Sequence, residues 1–132
     1  MRHRDVREVV DTYIRAWVEQ DPELILTIFT EDATYHERVF EDPICGHEAI
    51  RSYWQSKVVE SQRNIECDIL ALYVDGVTAI VEWEVRFDDL PQRVRKLMRE
   101  VAILRFEGSL IAALREYWSS REIGRLLDVE LA

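Results

Sequence analysis

The chain is short of the residues that punctuate and cross-link a fold: its 132 residues hold four glycines, three prolines and two cysteines. So little glycine and proline leaves no linker and no low-complexity segment. No internal repeat is present either, and residues 1–132 are expected to form a single domain around one core. Cys45 and Cys67 stand in no CxxC or other ligand spacing, and two cysteines are too few to staple a fold in an oxidising compartment. They read as ordinary thiols of a cytoplasmic protein. Long apolar runs are missing as well. The start, MRHRDVREVV, is charged from residue 2 onward, so neither a membrane span nor a signal-peptide core is expected. Positive charge is the last shortage: 17 Lys and Arg against 26 Asp and Glu give a formal charge of −9. That field repels phosphate backbones and membranes, so no nucleic acid and no membrane is expected as partner. A neutral or cationic small molecule, or a protein, suits it better.

What the chain does have is periodicity, helical in the first half and alternating in the second. Val6, Val9, Val10, Tyr13, Ile14 and Trp17 recur at spacings of three and four, the stripe of an amphipathic helix. Asp21-Pro22 then restarts a short helix as N-cap and first residue. A brief extended stretch follows at about residues 33 to 39. Beyond Pro43 and Gly46, a third helix has the stripe Ala49, Ile50, Tyr53, Trp54 and Val58. From about residue 64 the pattern is that of hairpins. Asp75-Gly76 predicts a tight type I′ turn, and in the strand after it Val81, Trp83, Val85 and Phe87 share a face. Strands at about 96 to 107 and 110 to 121 join through Gly108. A tail, residues 122–132, is apolar enough at Ile123, Leu126, Leu127, Val129 and Leu131 to pack on something. The fold class is α+β: three N-terminal helices packed in a strongly curved, mostly antiparallel sheet. Its convex face, with Val101, Ile103, Ile111 and Ala113 by alternation, reads as a homodimer surface.

Four segments carry a resemblance: YIRAWVEQDPELILTIFTEDATY, the helix start from Gly46 to Trp54, DGVTAIVEW, and LRFEGSLIAALREYW. Together they resemble the SnoaL-like and nuclear-transport-factor-2-like superfamily. It includes ketosteroid isomerases, scytalone dehydratase, limonene epoxide hydrolase and polyketide cyclases. The resemblance implies a conical barrel with a deep pocket and a homodimer built through the sheet. None of the segments is specific for a reaction. Against ketosteroid isomerase, Tyr13 stands at the oxyanion tyrosine and Glu37 at the proton-shuttling acid. The family's protonated aspartate falls at about Ala102, which donates nothing.

The candidate catalytic residues are therefore Glu37, Tyr13, His36 and Glu116. Glu37 as a base needs burial beside apolar rings; its competing role is an ion pair with Arg38. His36 alternates to the other face of the strand and is a second candidate base, or a structural histidine. Glu100 and Glu116 lie on an otherwise apolar strand face, where Glu116 shares a proton with Glu37 or Glu100, or else pairs with an arginine. Trp17, Trp54, Trp83 and Trp118 come from four elements and are the candidate ligand wall, with Glu100 among them. No spacing matches a zinc or iron site, so no metal and no cofactor is expected. Three readings stay open: a cofactor-independent isomerase, dehydratase or cyclase; a homodimeric binding protein for a hydrophobic or aromatic small molecule; and a protein-interaction domain.

Overall fold

The computed structural model describes residues 1–127. Val6, Val10, Tyr13, Ala16 and Trp17 form the buried side of α1 (His3–Val18), as their spacing requires. In α2 (Pro22–Leu26) the Asp21 carboxylate accepts the N–H groups of Glu23 at 3.1 Å and Leu24 at 3.0 Å. The first strand, β1 (Phe29–His36), begins and ends earlier than the expected 33 to 39. It pairs in parallel with the last strand, and that pairing stops at His36 and Arg115, which leaves Glu37 just beyond the strand. An unforeseen two-residue strand, β2 (Ile44–Cys45), covers the other side of β1. After α3 (His47–Trp54) the expected helical stripe continues to Val58 through a wider π-helical turn, Gln55–Val59. Such turns are frequent at functional sites.

The sheet contains β3 (Gln62–Asp75), β4 (Thr78–Asp89), β5 (Val94–Glu107) and β6 (Leu110–Arg125), in the order β2-β1-β6-β5-β4-β3. All neighbours are antiparallel except β1 and β6. Three helices against this curved mixed sheet make the α+β cone. In the first hairpin Asp75 pairs with Thr78, so the loop is Gly76-Val77, one residue later than an Asp-Gly turn. Gly76 has φ of 60° and Val77 is not among the positive-φ residues. The turn is therefore not type I′, and glycine occupies the first loop position, where type II′ takes it.

Register shifts bend the long strands. One between Arg105 and Phe106 gives β6 an extra residue, Ala112, so that Ile111 pairs with Phe106 on the inner face while Ala113 pairs with Arg105 on the outer. Ile111, expected on the convex face, is consequently buried in the core. Val101, Ile103 and Ala113 stay outside and half-buried. Residues 122–125, expected as tail, continue β6, with Ile123 exposed at a second shift opposite Arg95 and Lys96. Val129 and Leu131 lie outside the described residues.

Candidate active site

Alternation along β5 and β6 puts Glu100, Ala102, Leu104 and Phe106, then Leu114, Glu116 and Trp118, on one face, and these positions do face inward: they pair with one another, with buried Ile111 or with the inner row of β4. Two glutamates are thereby placed under the helices, Glu100 at 2% and Glu116 at 6% exposure. Glu100 lies across from Trp118 and Glu116 across from Ala102, so the two acids are diagonal neighbours. Their carboxyl groups come within hydrogen-bonding reach of each other.

Each glutamate has its own donors. The Trp83 indole N–H donates to Glu100 Oε2 at 2.8 Å. On the other side Tyr35 Oη–H donates to Glu116 Oε2 at 3.2 Å, with Tyr13 at a longer 3.4 Å; the two tyrosine hydroxyls are 2.6 Å apart. Burial pushes the Glu100 carboxyl up to about 7, against the pull of the Trp83 and Glu116 bonds, and the Glu37 charge adds to the rise. Glu116 is held well above the ordinary carboxylate range, first by burial, then by the charge and hydrogen bond of Glu100 and the charge of Glu37. Two carboxylates in contact cannot both ionise, so the pair keeps one proton near neutrality. One direction satisfies every donor in turn: Tyr13 to Tyr35, Tyr35 to Glu116, protonated Glu116 to Glu100, with Trp83 donating to Glu100 from the far side. Glu100 is then the anion.

A cavity opens beside this pair, lined by Trp17, Trp54 and Trp118, by Tyr35 and Tyr53, and by Glu37, Glu100 and Glu116. It is narrow, about 70 Å³, where one water needs about 10–15 Å³. Three of the four tryptophans line it. Trp83 stands behind, stacked on Tyr13 with ring centroids 4.9 Å apart. Tyr13 is itself 1% exposed and is not on the wall. Its hydroxyl reaches the cavity only through Tyr35 and Glu116. Glu37 reaches the rim, with its side chain 17% exposed and 3.4 Å from Arg38, whose guanidinium lies 5.3 Å over the Trp118 ring. His36 is turned away: its imidazole is hydrogen-bonded to the Glu41 carbonyl and does not line the cavity. Cys67 faces the core, where burial pushes its thiol up to about 12.

Sequence reasoning missed Tyr35, Tyr53, Lys57, Gln62 and Lys96. Tyr35 carried a usable signal, since it lies two residues before Glu37. Gln62 and Lys57 carried none, because their placement depends on the π-helical turn. Among the described residues no group of His, Cys, Asp and Glu has the arrangement of a metal site and no helix is long and apolar enough to cross a membrane.

The SnoaL-like domain family matches residues 10–114, which include most of the site. The chain belongs to that family. No curated protein matches it. Among solved structures, this SnoaL-like chain is similar to SalBIII, described as an epoxide hydrolase/cyclase-like enzyme with a role in pyran ring formation in the polyether salinomycin. Identity is 25%, the match covers 89% of this chain and 95% of that one, and the TM-score is 0.77. A putative SnoaL-like polyketide cyclase from Shewanella denitrificans OS-217 matches at 12% identity over 89% and 92%, with TM-score 0.76. A hypothetical protein with ketosteroid isomerase-like fold from Catenulispora acidiphila DSM 44928, in complex with trimethylamine, matches at 22% over 85% of each chain, with TM-score 0.75.

Proposed function

We infer that this SnoaL-like chain is a cofactor-independent enzyme that moves protons on a small apolar or aromatic molecule, an isomerase, lyase or cyclase by class. The observation that carries this is the contact of two buried carboxyl groups, Glu100 and Glu116, on one cavity wall. Protonated Glu116 gives its proton to a substrate oxygen as a C–O bond of an epoxide or alcohol breaks. Glu100 takes a proton from the attacking hydroxyl or from carbon. One proton is given and one taken, and passage between the two carboxyls restores the pair. SalBIII, the relative with 25% identity, supports ring opening and closure as the first chemistry to try. In this reading Glu37 acts through its charge at the rim and Tyr13 by positioning Tyr35, while Tyr35 takes the contact with substrate.

The test is turnover of small epoxides and hydroxy-epoxides by the wild type, Glu116→Gln and Glu100→Gln. Each substitution is expected to lower kcat by about 100-fold or more while the protein stays folded. Wild-type-like turnover in both variants contradicts the reading. A second reading, a binding protein that holds its ligand unchanged, is favoured by the aromatic wall and the narrow volume, and a relative is described in complex with trimethylamine. Ligand recovered chemically unchanged after long incubation supports it. In either case we place the protein in the cytoplasm, on its two free thiols, as a homodimer through the outer face around Val101, Ile103 and Ala113.

A further inference from the structure

The two ends of the cavity have opposite hydrogen-bonding character. Lys96, Met98 and Glu100 share the inner face of β5 and all line the cavity, so its ends are about 13 Å apart along the strand. The Glu100 end carries three acids, Glu37, Glu100 and Glu116, with the Tyr35 and Tyr53 rings beside them. At the Lys96 end stand Lys57, from the π-helical turn, and Gln62, the first residue of β3. Gln62 is 5% exposed, and its Oε1 accepts the Trp17 indole N–H at 2.9 Å. That bond fixes which way the amide faces, and its NH2 group makes no hydrogen bond among the described residues. Lys57 is in no ion pair among the described residues. Asp89, the one acid at this end among the described residues, is already paired with Lys96 at 3.1 Å. The space between the ends is walled by Trp17, Trp54, Val58 and Phe87. Gln20 ties the end together, because its amide donates to the carbonyls of both Val58 and Gln62, at 2.8 and 2.7 Å.

We propose that the cavity selects a monocarboxylate with an apolar or aromatic body, its carboxylate held by the Gln62 amide and the Lys57 ammonium and its other end delivered to Glu100 and Glu116. This assignment of substrate class rests on the functional reading above. Two ammonium groups and an amide donor against one paired acid favour an anion at this end. At the other end a carboxylate meets the charges of Glu37 and Glu100, and the Tyr35 hydroxyl there is already bonded to Glu116, so the orientation with the carboxylate at the Lys57 end is favoured. The formal charge of −9 does not forbid this, since exposed charges are screened beyond about 8 Å at physiological salt while these donors act at contact.

Three probes with one skeleton test it: cinnamate, methyl cinnamate and cinnamylammonium, titrated calorimetrically into the wild type, Lys57→Met and Gln62→Glu. Cinnamate is expected to bind about tenfold more tightly than the ester, and the ammonium compound more weakly still. Lys57→Met, at an exposed position, should remove most of that preference and leave the ester unchanged. Gln62→Glu keeps the acceptor for Trp17 and replaces the donor with a charge, so it should weaken cinnamate further. A cation bound as tightly as the anion overturns the proposal, as does unchanged cinnamate affinity in Lys57→Met or no binding of cinnamate at several millimolar. Binding is read without turnover, so Glu116→Gln separates the two ideas. It should abolish the reaction and retain the cinnamate preference, and either result can fail alone.

Discussion

Glu116 on β6 stands directly across the strand pair from Ala102 on β5. Ala102 is the position where comparison with ketosteroid isomerase leads one to seek a protonated acid, and the acid is present one strand over. A sheet reads space in two dimensions, along a strand and across the ladder. A carboxyl moved to the neighbouring strand faces the same cavity.

The raised carboxyls make stability fall with pH. Glu100 moves from an ordinary 4.5 to about 7 in the fold. Between those values the folded chain binds more protons than the unfolded one, so the free energy of unfolding declines as pH rises. Below 4.5 both states carry the proton and the penalty is absent. Glu116 shifts in the same direction and extends the decline upward. Tm followed from pH 5 to 8 should drop, and drop less steeply in Glu100→Gln. A slope identical in the variant contradicts the assignment.

Trp83→Phe should act on Glu100 without touching the cavity wall. It removes the 2.8 Å donor from a buried carboxylate, at a cost of about 2–4 kcal/mol in stability. Loss of that bond also raises the Glu100 carboxyl further, so the pH limb of the rate should move to higher pH. A merely structural indole leaves the limb in place.

Glu37→Gln separates a base from a rim charge. Its negative charge raises both Glu100 and Glu116, so neutralising it should move the limb to lower pH and keep kcat within about tenfold. A loss of about 100-fold or more makes Glu37 the base after all.

The order of the π-helical turn depends on Gln20, which adopts φ of 55° and bonds the carbonyls of Val58 and Gln62. Gln20→Ala should cost about 1–3 kcal/mol and speed amide hydrogen exchange across residues 55–62, while α1 keeps its protection.

Alternation and helical spacing carried most of the fold, because they are local and the core enforces them. The burial of Val6, Val10, Tyr13 and Trp17, and the inward row of Glu100, Ala102 and Leu104, followed from that alone. Features that depend on pairing partners did not. The parallel contact of β1 with β6, the Gly76-Val77 loop and the extra residue Ala112 are set by strands distant in sequence, and each moved a residue from its expected place. The site divides the same way. Glu100 and Glu116 were candidates because acids on an apolar face are conspicuous. Their contact, the retreat of Tyr13 behind Tyr35, and the donor end at Lys57 and Gln62 arise only when three elements meet.

The disposition of the four indoles gives the molecule a built-in optical reporter. Trp17, Trp54 and Trp118 line the cavity, and Trp83 donates to the very carboxylate whose charge is in question. Emission is expected to respond to whatever enters the cone and, through Trp83, to the ionisation of Glu100, with Trp17, at 6.4 Å from Trp54 and 6.0 Å from Trp83, sharing excitation with both. Occupancy and protonation can therefore be followed in the same unlabelled protein, by its own fluorescence.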